Sequence, residues 1–393
     1  MIDLDAITVD ALERDPYPVY AALRDEAPVA HIPCLDTWMV TRWRDVEAAC
    51  QDPVAFPATV AHSPTDRALG GVSMMTTDGD PAKRRRRPFD PTLRPRSVEA
   101  TVPGVVERLA TSGLDAIAAN GGGDLVHDYF EPISVRSLAH VMGLADAADD
   151  ATLIRWFAGL AAGVSNYEDD PVKWAACDAV SQEIDEVAAP LFARRLRDPA
   201  DDLISHLVAA GEGPLEDRLT FAMPSLKLVL LGGLQEPAHG GATIADCLLA
   251  HPDQLVAVRD DPSLVPAAVE EGLRWTAPIG NLLRGVAPGT TLADVSLPDD
   301  ARVILVVSSA NRDRDVWGPT ADAYDLHRPK RGHLAFATGP HYCIGHHFAR
   351  VQLQVAIRAL LERFPRLRLD PAYDVVYRGH EYRSPKSVQV LVD

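Results

Sequence analysis

The stretch Phe336-Ala337-Thr338-Gly339-Pro340-His341-Tyr342-Cys343-Ile344-Gly345 decides how the rest of the chain reads. Cys343 stands just ahead of an amphipathic segment, 346–364, in which Phe348, Val351 and Val355 recur at helical spacing and which Pro365 stops. A thiol gives up its proton readily at a helix N-terminus, near positive charge or on a metal. His341 lies two residues before it, and Gly339 and Gly345 permit a tight turn and close approach to a flat ligand. The arrangement fits delivery of one thiolate to one metal. An inert cysteine in a glycine-rich turn is the competing reading, and the better one for a cysteine without such neighbours.

Two further segments carry chemistry-bearing residues. In Glu271-Gly272-Leu273-Arg274 an acid and a base stand three apart, with Pro266 suited to a helix first turn and Pro278 beyond its end. Alone, such a pair reads as a solvated surface contact of little worth. Leu231-Gly232-Gly233-Leu234-Gln235-Glu236-Pro237-Ala238-His239-Gly240-Gly241 lies inside an apolar helix-like segment, 225–249. Pro237 has no N–H, so the carbonyl of Gly233 loses its helical partner and a kink is expected. The paired glycines leave room for a ligand against the backbone. Two helices flanking a glycine-rich break is the other reading.

Composition bounds the possibilities. The chain has 393 residues and a net charge of −18, which argues against general binding to nucleic acid or anionic membranes. The start shows no charged-then-apolar leader, and no uncharged apolar run is long enough to span a bilayer, so a cytoplasmic location is expected. The five cysteines, at 34, 50, 177, 247 and 343, are scattered and form neither a disulfide framework nor a CxxC zinc pair. A helix is expected through Leu23 after Asp15-Pro16-Tyr17-Pro18-Val19-Tyr20, and a strand at 37–41. The region 97–260 reads as mostly helical. Strands are expected at 291–297 and 302–307, with Pro298-Asp299-Asp300 as the turn between them. The sum is mainly α, of the α+β class, with no linker to divide 1–393.

Taken together these motifs resemble the cytochromes P450, over nearly the whole chain. The resemblance implies a helix-rich, triangular single domain with small β-sheets around haem b, iron protoporphyrin IX. It makes Cys343 the metal ligand, with Phe336, Gly345 and Gly233 close to the cofactor. His341 and Arg284 match positions that bind haem propionates. A third comes from the run Lys83-Arg84-Arg85-Arg86-Arg87, where Arg86 is the preferred register and Ala82 or Lys83 replaces the expected histidine. That basic run also suits an acidic redox partner better than nucleic acid. Glu271, Arg274 and Arg328 become a structural brace for the cysteine loop.

Gly232–Glu236 resembles the oxygen-binding segment on the distal side of the haem, with one departure. Gln235 stands where an acid is expected and Glu236 where a threonine is expected. Glu236 could relay protons itself, with Gln235 beside it. Asp15-Pro-Tyr-Pro-Val-Tyr20, Gln235-Glu-Pro-Ala-His-Gly240 and Glu271-Gly-Leu-Arg-Trp-Thr-Ala-Pro-Ile279 further resemble bacterial P450s that O-demethylate guaiacol. That implies a small methoxylated aromatic substrate, O2, and electrons from NAD(P)H through a ferredoxin or a flavin/iron–sulfur reductase. Yet Leu69, Val164 and Tyr382 stand where that subfamily clamps its ring with phenylalanines. Met75, Leu228, Leu231, Gly232 and Ile279 complete the expected apolar pocket. A peroxide-driven enzyme, a natural-product tailoring hydroxylase acting on a larger scaffold, and a non-catalytic haem sensor are the alternatives.

Overall fold

The computed structural model describes residues 2–392. Helices dominate, and the longest are started by proline and stopped by chain geometry. Pro95–Asn120 has Pro95 in its first turn and ends at Gly121, whose φ of 70° is the left-handed cap that glycine adopts without a Cβ clash. Pro171–Arg197 begins where the Asp170 carboxylate accepts from the Val172 N–H at 2.7 Å. Asp150–Val164 begins similarly on Asp149.

The main apolar core lies where His346–Arg363, Pro95–Asn120, Val265–Thr276 and the central helices pack together. Tyr129 ties the middle of that bundle by donating to the Ala356 carbonyl at 2.7 Å. Two smaller cores line the two faces of a four-stranded sheet. Its strands run in the order Val29–Ile32, Thr37–Val40, Arg302–Val306, Asn281–Gly285. Thr37–Val40 lies parallel to Arg302–Val306, and the other pairings are antiparallel. Three further small sheets complete the β-structure among the described residues.

Several expectations need correction. The helix near the start begins inside the proline-rich stretch, at Tyr17, and runs to Glu26, because Pro18 fits a first turn. The stretch 291–297 is not one strand. Thr291–Leu292 and Val295–Ser296 form a hairpin closed by Ala293 and Asp294, both with positive φ (48° and 63°). The apolar helix at 225–249 does not merely kink. Leu215–Gly233 ends, Leu234 and Gln235 are non-helical, and Glu236–Ala250 starts afresh with Pro237 in its first turn. The carbonyl that Pro237 cannot satisfy, that of Gly233, accepts from the Ser134 hydroxyl at 3.4 Å instead.

Candidate active site

The cysteine loop is folded by its own backbone. Cys343 N–H donates to the Phe336 carbonyl at 2.9 Å, closing the turn. Gly339, at φ 72°, lies so close to the preceding region that a Cβ there would meet the Cys50 carbonyl at 2.6 Å. Gly345 has an ordinary φ of −85° and caps His346–Arg363; a Cβ on it would come 3.9 Å from the Cys343 sulfur. Burial pushes the Cys343 thiol up. The N–H groups of Gly345 and His346 and the charges of Arg86 and Arg350 pull it back toward the thiolate.

Beneath the loop sits a buried polar brace. Glu271 takes both ends of Arg274, at 2.7 and 2.8 Å, and Arg328 at 3.0 Å. Arg274 then donates to the carbonyls of Asn311, Ala321 and Ala323, each at 2.8 Å. The Asn311 amide oxygen accepts from Leu334 N–H at 2.8 Å, so the brace reaches the segment leading into the cysteine loop. A second strut escaped the sequence reading. Arg350 forks onto Glu270 at 2.6 and 2.9 Å while its guanidinium lies 4.4 Å from the centre of the Phe336 ring. Burial alone would raise the Glu270 carboxyl, but His333 and Arg350 outweigh it and hold it down at about 2.

The basic groups converge on one edge of the loop. Arg86 donates to the Tyr342 carbonyl at 2.6 Å, whereas Arg84 turns to Glu212 and Arg85 to the Phe221 carbonyl. Arg284 is buried at 4 % exposure, and the one hydrogen bond of its guanidinium among the described residues is to the Leu283 carbonyl at 2.7 Å. A buried guanidinium without a carboxylate is costly and is a built site for an external anion. His341 contacts Asp78 at 2.8 Å. Burial lowers the His341 pKa, and Arg284 and Arg86 lower it further against the pull of Asp78. Asp78, unforeseen from sequence, is thereby the acid that organises this cationic edge.

Above the loop, Gly232 is exposed in the middle of an otherwise apolar segment, and a Cβ there would meet nothing within 4 Å. Glu236 is buried at 6 % exposure, and neither carboxylate oxygen has a hydrogen-bond partner. His239 Nδ1 lies 3.4 Å away without hydrogen-bond geometry. Burial raises the Glu236 pKa and His239 partly offsets this. Gln235 does not join it. Its amide donates to the Glu131 carboxylate, which also meets His127 at 3.1 Å, so Gln235 fastens the helix break rather than facing the open space.

The expected pocket residues divide. Met75, Leu228, Ile279 and Tyr382 keep accessible surface. Val164 and Leu231 are nearly covered, and Leu69 is fully buried, so Leu69 packs the core rather than lining open space. Ile279 and Tyr382 are held opposite each other by a β-bridge. Phe157, two turns before Val164 on the same helix, stands edge-on to both Tyr382 and His239, with ring centres 5.9 Å apart in each case. Its helical spacing from Val164 was the available signal for this aromatic wall.

These residues fit a flat, dianionic macrocycle carrying a metal. A half-buried thiol with N–H donors beside it, an anion-seeking buried arginine and an open face at Gly232 are what such a group requires. Comparison with known proteins gives the same answer. Residues 258–376 match the family model described as Cytochrome P450. The chain is 33% identical over 392 residues to Cytochrome P450 130 of Mycobacterium tuberculosis, covering 96% of this chain and 95% of that one. It is 32% identical to 6-deoxyerythronolide B hydroxylase of Saccharopolyspora erythraea, covering 94% of each. The solved structure of the tirandamycin C-bound P450 monooxygenase TamI superposes with a TM-score of 0.84 at 28% identity, over 98% of this chain and 100% of that one. With full-length relatives at this identity, the chain belongs to the cytochrome P450 family.

Proposed function

We propose that this P450 monooxygenase hydroxylates a scaffold larger than a simple methoxyphenol, in the manner of a natural-product tailoring enzyme. As a P450 it works with haem b, O2 and electrons from NAD(P)H passed on by a redox partner. The observation that carries the substrate reading is the open space at Gly232, where a Cβ would meet nothing within 4 Å, together with the lack of phenylalanine at Leu69, Val164 and Tyr382. The relatives named as 6-deoxyerythronolide B hydroxylase and as the tirandamycin C-bound P450 monooxygenase TamI support it.

When bound, the haem supplies oxygen activation and the oxidising equivalent for C–H attack. Cys343 holds the metal from the side of the His346–Arg363 helix, and the Gly345 and His346 N–H groups stabilise its thiolate. Arg284, Arg86 and His341 receive the two propionates. Gly345 leaves the space next to the Cys343 sulfur free of a side chain and Phe336 packs under Arg350 beside the loop, whereas a Cβ on Gly233 would meet Leu138 at 3.1 Å, so Gly233 serves helix packing. Glu271, Arg274 and Arg328 hold the loop rigid. Glu236, buried with neither carboxyl oxygen paired, would hold a proton there and pass it on, the work that a threonine does elsewhere in the family. Tyr382 and Phe157 form the aromatic wall that orients the substrate. The exposed ends of Lys83 and Arg87 suit an acidic redox protein.

The reduced, CO-bound absorption spectrum tests the ligation: wild type shows the red-shifted band of a thiolate-ligated haem and Cys343→Ala loses it. Titration with a macrolide aglycone, a sterol ketone and guaiacol, read as haem spin-state shift, tests the substrate. Tighter response to guaiacol than to either larger compound overturns the tailoring reading. The second reading, O-demethylation of a methoxyarene, is favoured by the Phe157–Tyr382 pair and by the hydroxyl of Tyr382. Its mark is formaldehyde released in step with cofactor consumption. Turnover with hydrogen peroxide alone, which Glu236 could assist as a base, separates a peroxide-driven cycle from the O2-driven one.

A further inference from the structure

Glu236 is the first residue of the helix Glu236–Ala250 and His239 the fourth. Positions three apart share one face of a helix, so their side chains meet. The turn that carries them is closed, because the His239 N–H donates to the Gln235 carbonyl at 2.9 Å. The rotation of the helix is fixed as well. The Phe130 ring packs so close to Gly241 that a Cβ there would meet it at 2.4 Å.

His239 Nδ1 lies 3.4 Å from Glu236 Oε1, and no other basic nitrogen comes within 4 Å of that carboxyl among the described residues. The nearby polar groups are committed elsewhere. Gln235 donates to Glu131, and the Ser134 hydroxyl to the Gly233 carbonyl. Glu381, the buried acid just before Tyr382, accepts from the Tyr167 hydroxyl at 3.5 Å and makes no hydrogen bond to Glu236. His239 Nδ1 and both Glu236 oxygens are thus buried, adjacent and without partners. Unpaired buried polar atoms cost free energy, and a small turn of the imidazole pairs two of these three. The ring that guides the imidazole is Phe157. It stands edge-on to His239, at 78° with ring centres 5.9 Å apart, and edge-on to Tyr382 at the same separation. His239 is therefore held between the acid and the aromatic wall.

We propose that His239 is the positioning residue for Glu236: its Nδ1–H donates to Oε1 and leaves Oε2 as the oxygen that carries and releases the proton. This rests on the reading of Glu236 as the proton-handling group. His239 itself neither gains nor loses a proton; it needs only the neutral tautomer with hydrogen on Nδ1. The bond serves both states of the acid. It fixes the orientation of the protonated carboxyl, and it strengthens once the proton has left, because a charged acceptor makes the stronger hydrogen bond. Burial raises the Glu236 carboxyl and His239 works against it, so the acid is not locked in its protonated form. Phe157 acts one step further out, by keeping the imidazole from turning away.

The test uses the haem-loaded protein and its Glu236→Gln, His239→Phe and His239→Asn variants. Asparagine places an amide N–H where Nδ1 stands, whereas phenylalanine keeps a ring against Phe157 and loses the donor. Infrared difference spectra of wild type against Glu236→Gln identify the Glu236 carboxyl band. In His239→Phe that band should move to higher wavenumber, as a carbonyl freed of its donor does, and in His239→Asn it should stay near its wild-type position. Oxygen uptake driven by a surrogate ferredoxin and its NADPH-dependent reductase is the second readout. It should fall by about tenfold or more in His239→Phe and largely recover in His239→Asn. The double variant Glu236→Gln/His239→Phe should be no slower than Glu236→Gln alone, since His239 acts through Glu236. With Glu236→Gln slow, an unmoved band in His239→Phe, wild-type uptake in His239→Phe, or uptake no faster in His239→Asn than in His239→Phe overturns the positioning role and leaves that of Glu236 standing. Unchanged uptake in Glu236→Gln overturns the reading of Glu236 and this inference with it. Should His239→Phe fail to take up haem, the wild type decides alone. Nuclear magnetic resonance of its ferrous, CO-bound form should show a His239 Nδ1 proton in slow exchange with water, and a freely exchanging one overturns the bond.

Discussion

Arg86 donates to the main-chain carbonyl of Tyr342 at 2.6 Å, joining the helix Gly79–Arg86 to the residue that precedes Cys343. Four consecutive arginines occupy this stretch, and helical geometry points each in a different direction. Only the one at 86 reaches the cysteine loop among the described residues; Arg87 is exposed. Arg86→Ala is therefore expected to speed haem loss to apomyoglobin by about tenfold or more, the worth of a charge-assisted hydrogen bond. Arg87→Ala should leave the loss rate unchanged.

The brace predicts a larger effect on stability. Glu271 neutralises Arg274 and Arg328 in a buried setting. Removing it strands two guanidinium groups, and breaking a buried pair in this way costs about 3–5 kcal/mol. Glu271→Ala should lower the thermal midpoint by many degrees and yield protein with little haem. Arg328→Lys should fall between the two, because lysine cannot reproduce the fan of bonds to Glu271, Trp317, Thr320 and Ala323.

Gly232 and Gly339 should respond oppositely to alanine. At Gly339 the positive φ and the Cys50 carbonyl at 2.6 Å both oppose a side chain, so Gly339→Ala should destabilise by about 2 kcal/mol or more. At Gly232 a Cβ meets no atom, so Gly232→Ala should fold with unchanged midpoint. Its effect should appear instead as weaker spin-state response to the bulkiest ligands of a titration series.

Stability should also carry the signature of Glu381. Its folded-state pKa, about 8, lies above the ordinary 4.5, so the folded chain keeps a proton that the unfolded chain releases. The associated stability is fully present below pH 4.5 and is lost as pH rises through about 8. Glu381→Gln cannot titrate. Its melting temperature should decline less than that of wild type between pH 4.5 and 8, measured by calorimetry at matched ionic strength.

Replacing Glu236 separates the two oxidant regimes. Glu236→Thr removes the buried carboxyl and restores the hydroxyl common in the family. Peroxide-driven turnover should then fall by about a hundredfold if Glu236 acts as the base, while O2-driven turnover falls less. Equal losses in both regimes would argue for a purely structural carboxyl.

The sequence by itself determined the family, the cysteine loop and the Glu271–Arg274 pair, because each is a local pattern. A tight glycine turn before a helix and two charges three apart depend on neighbours a few residues away. It also located the helix interruption at Pro237, since a missing N–H is a covalent fact. Whether that interruption is a kink or a break depended on Ser134, ninety-nine residues away, offering its hydroxyl to the freed carbonyl. The same holds for the roles of Gln235, which Glu131 draws aside, and of Asp78, which meets His341 across 263 residues of chain. Nothing local in the sequence marks Glu381, which folding places out of water beside Tyr167, 214 residues away in the chain. Burial and charge pairing are properties of the packed chain. The tertiary structure alone therefore decided which carboxyls burial raises, which arginine reaches the cysteine loop and which aromatic ring stands against Tyr382.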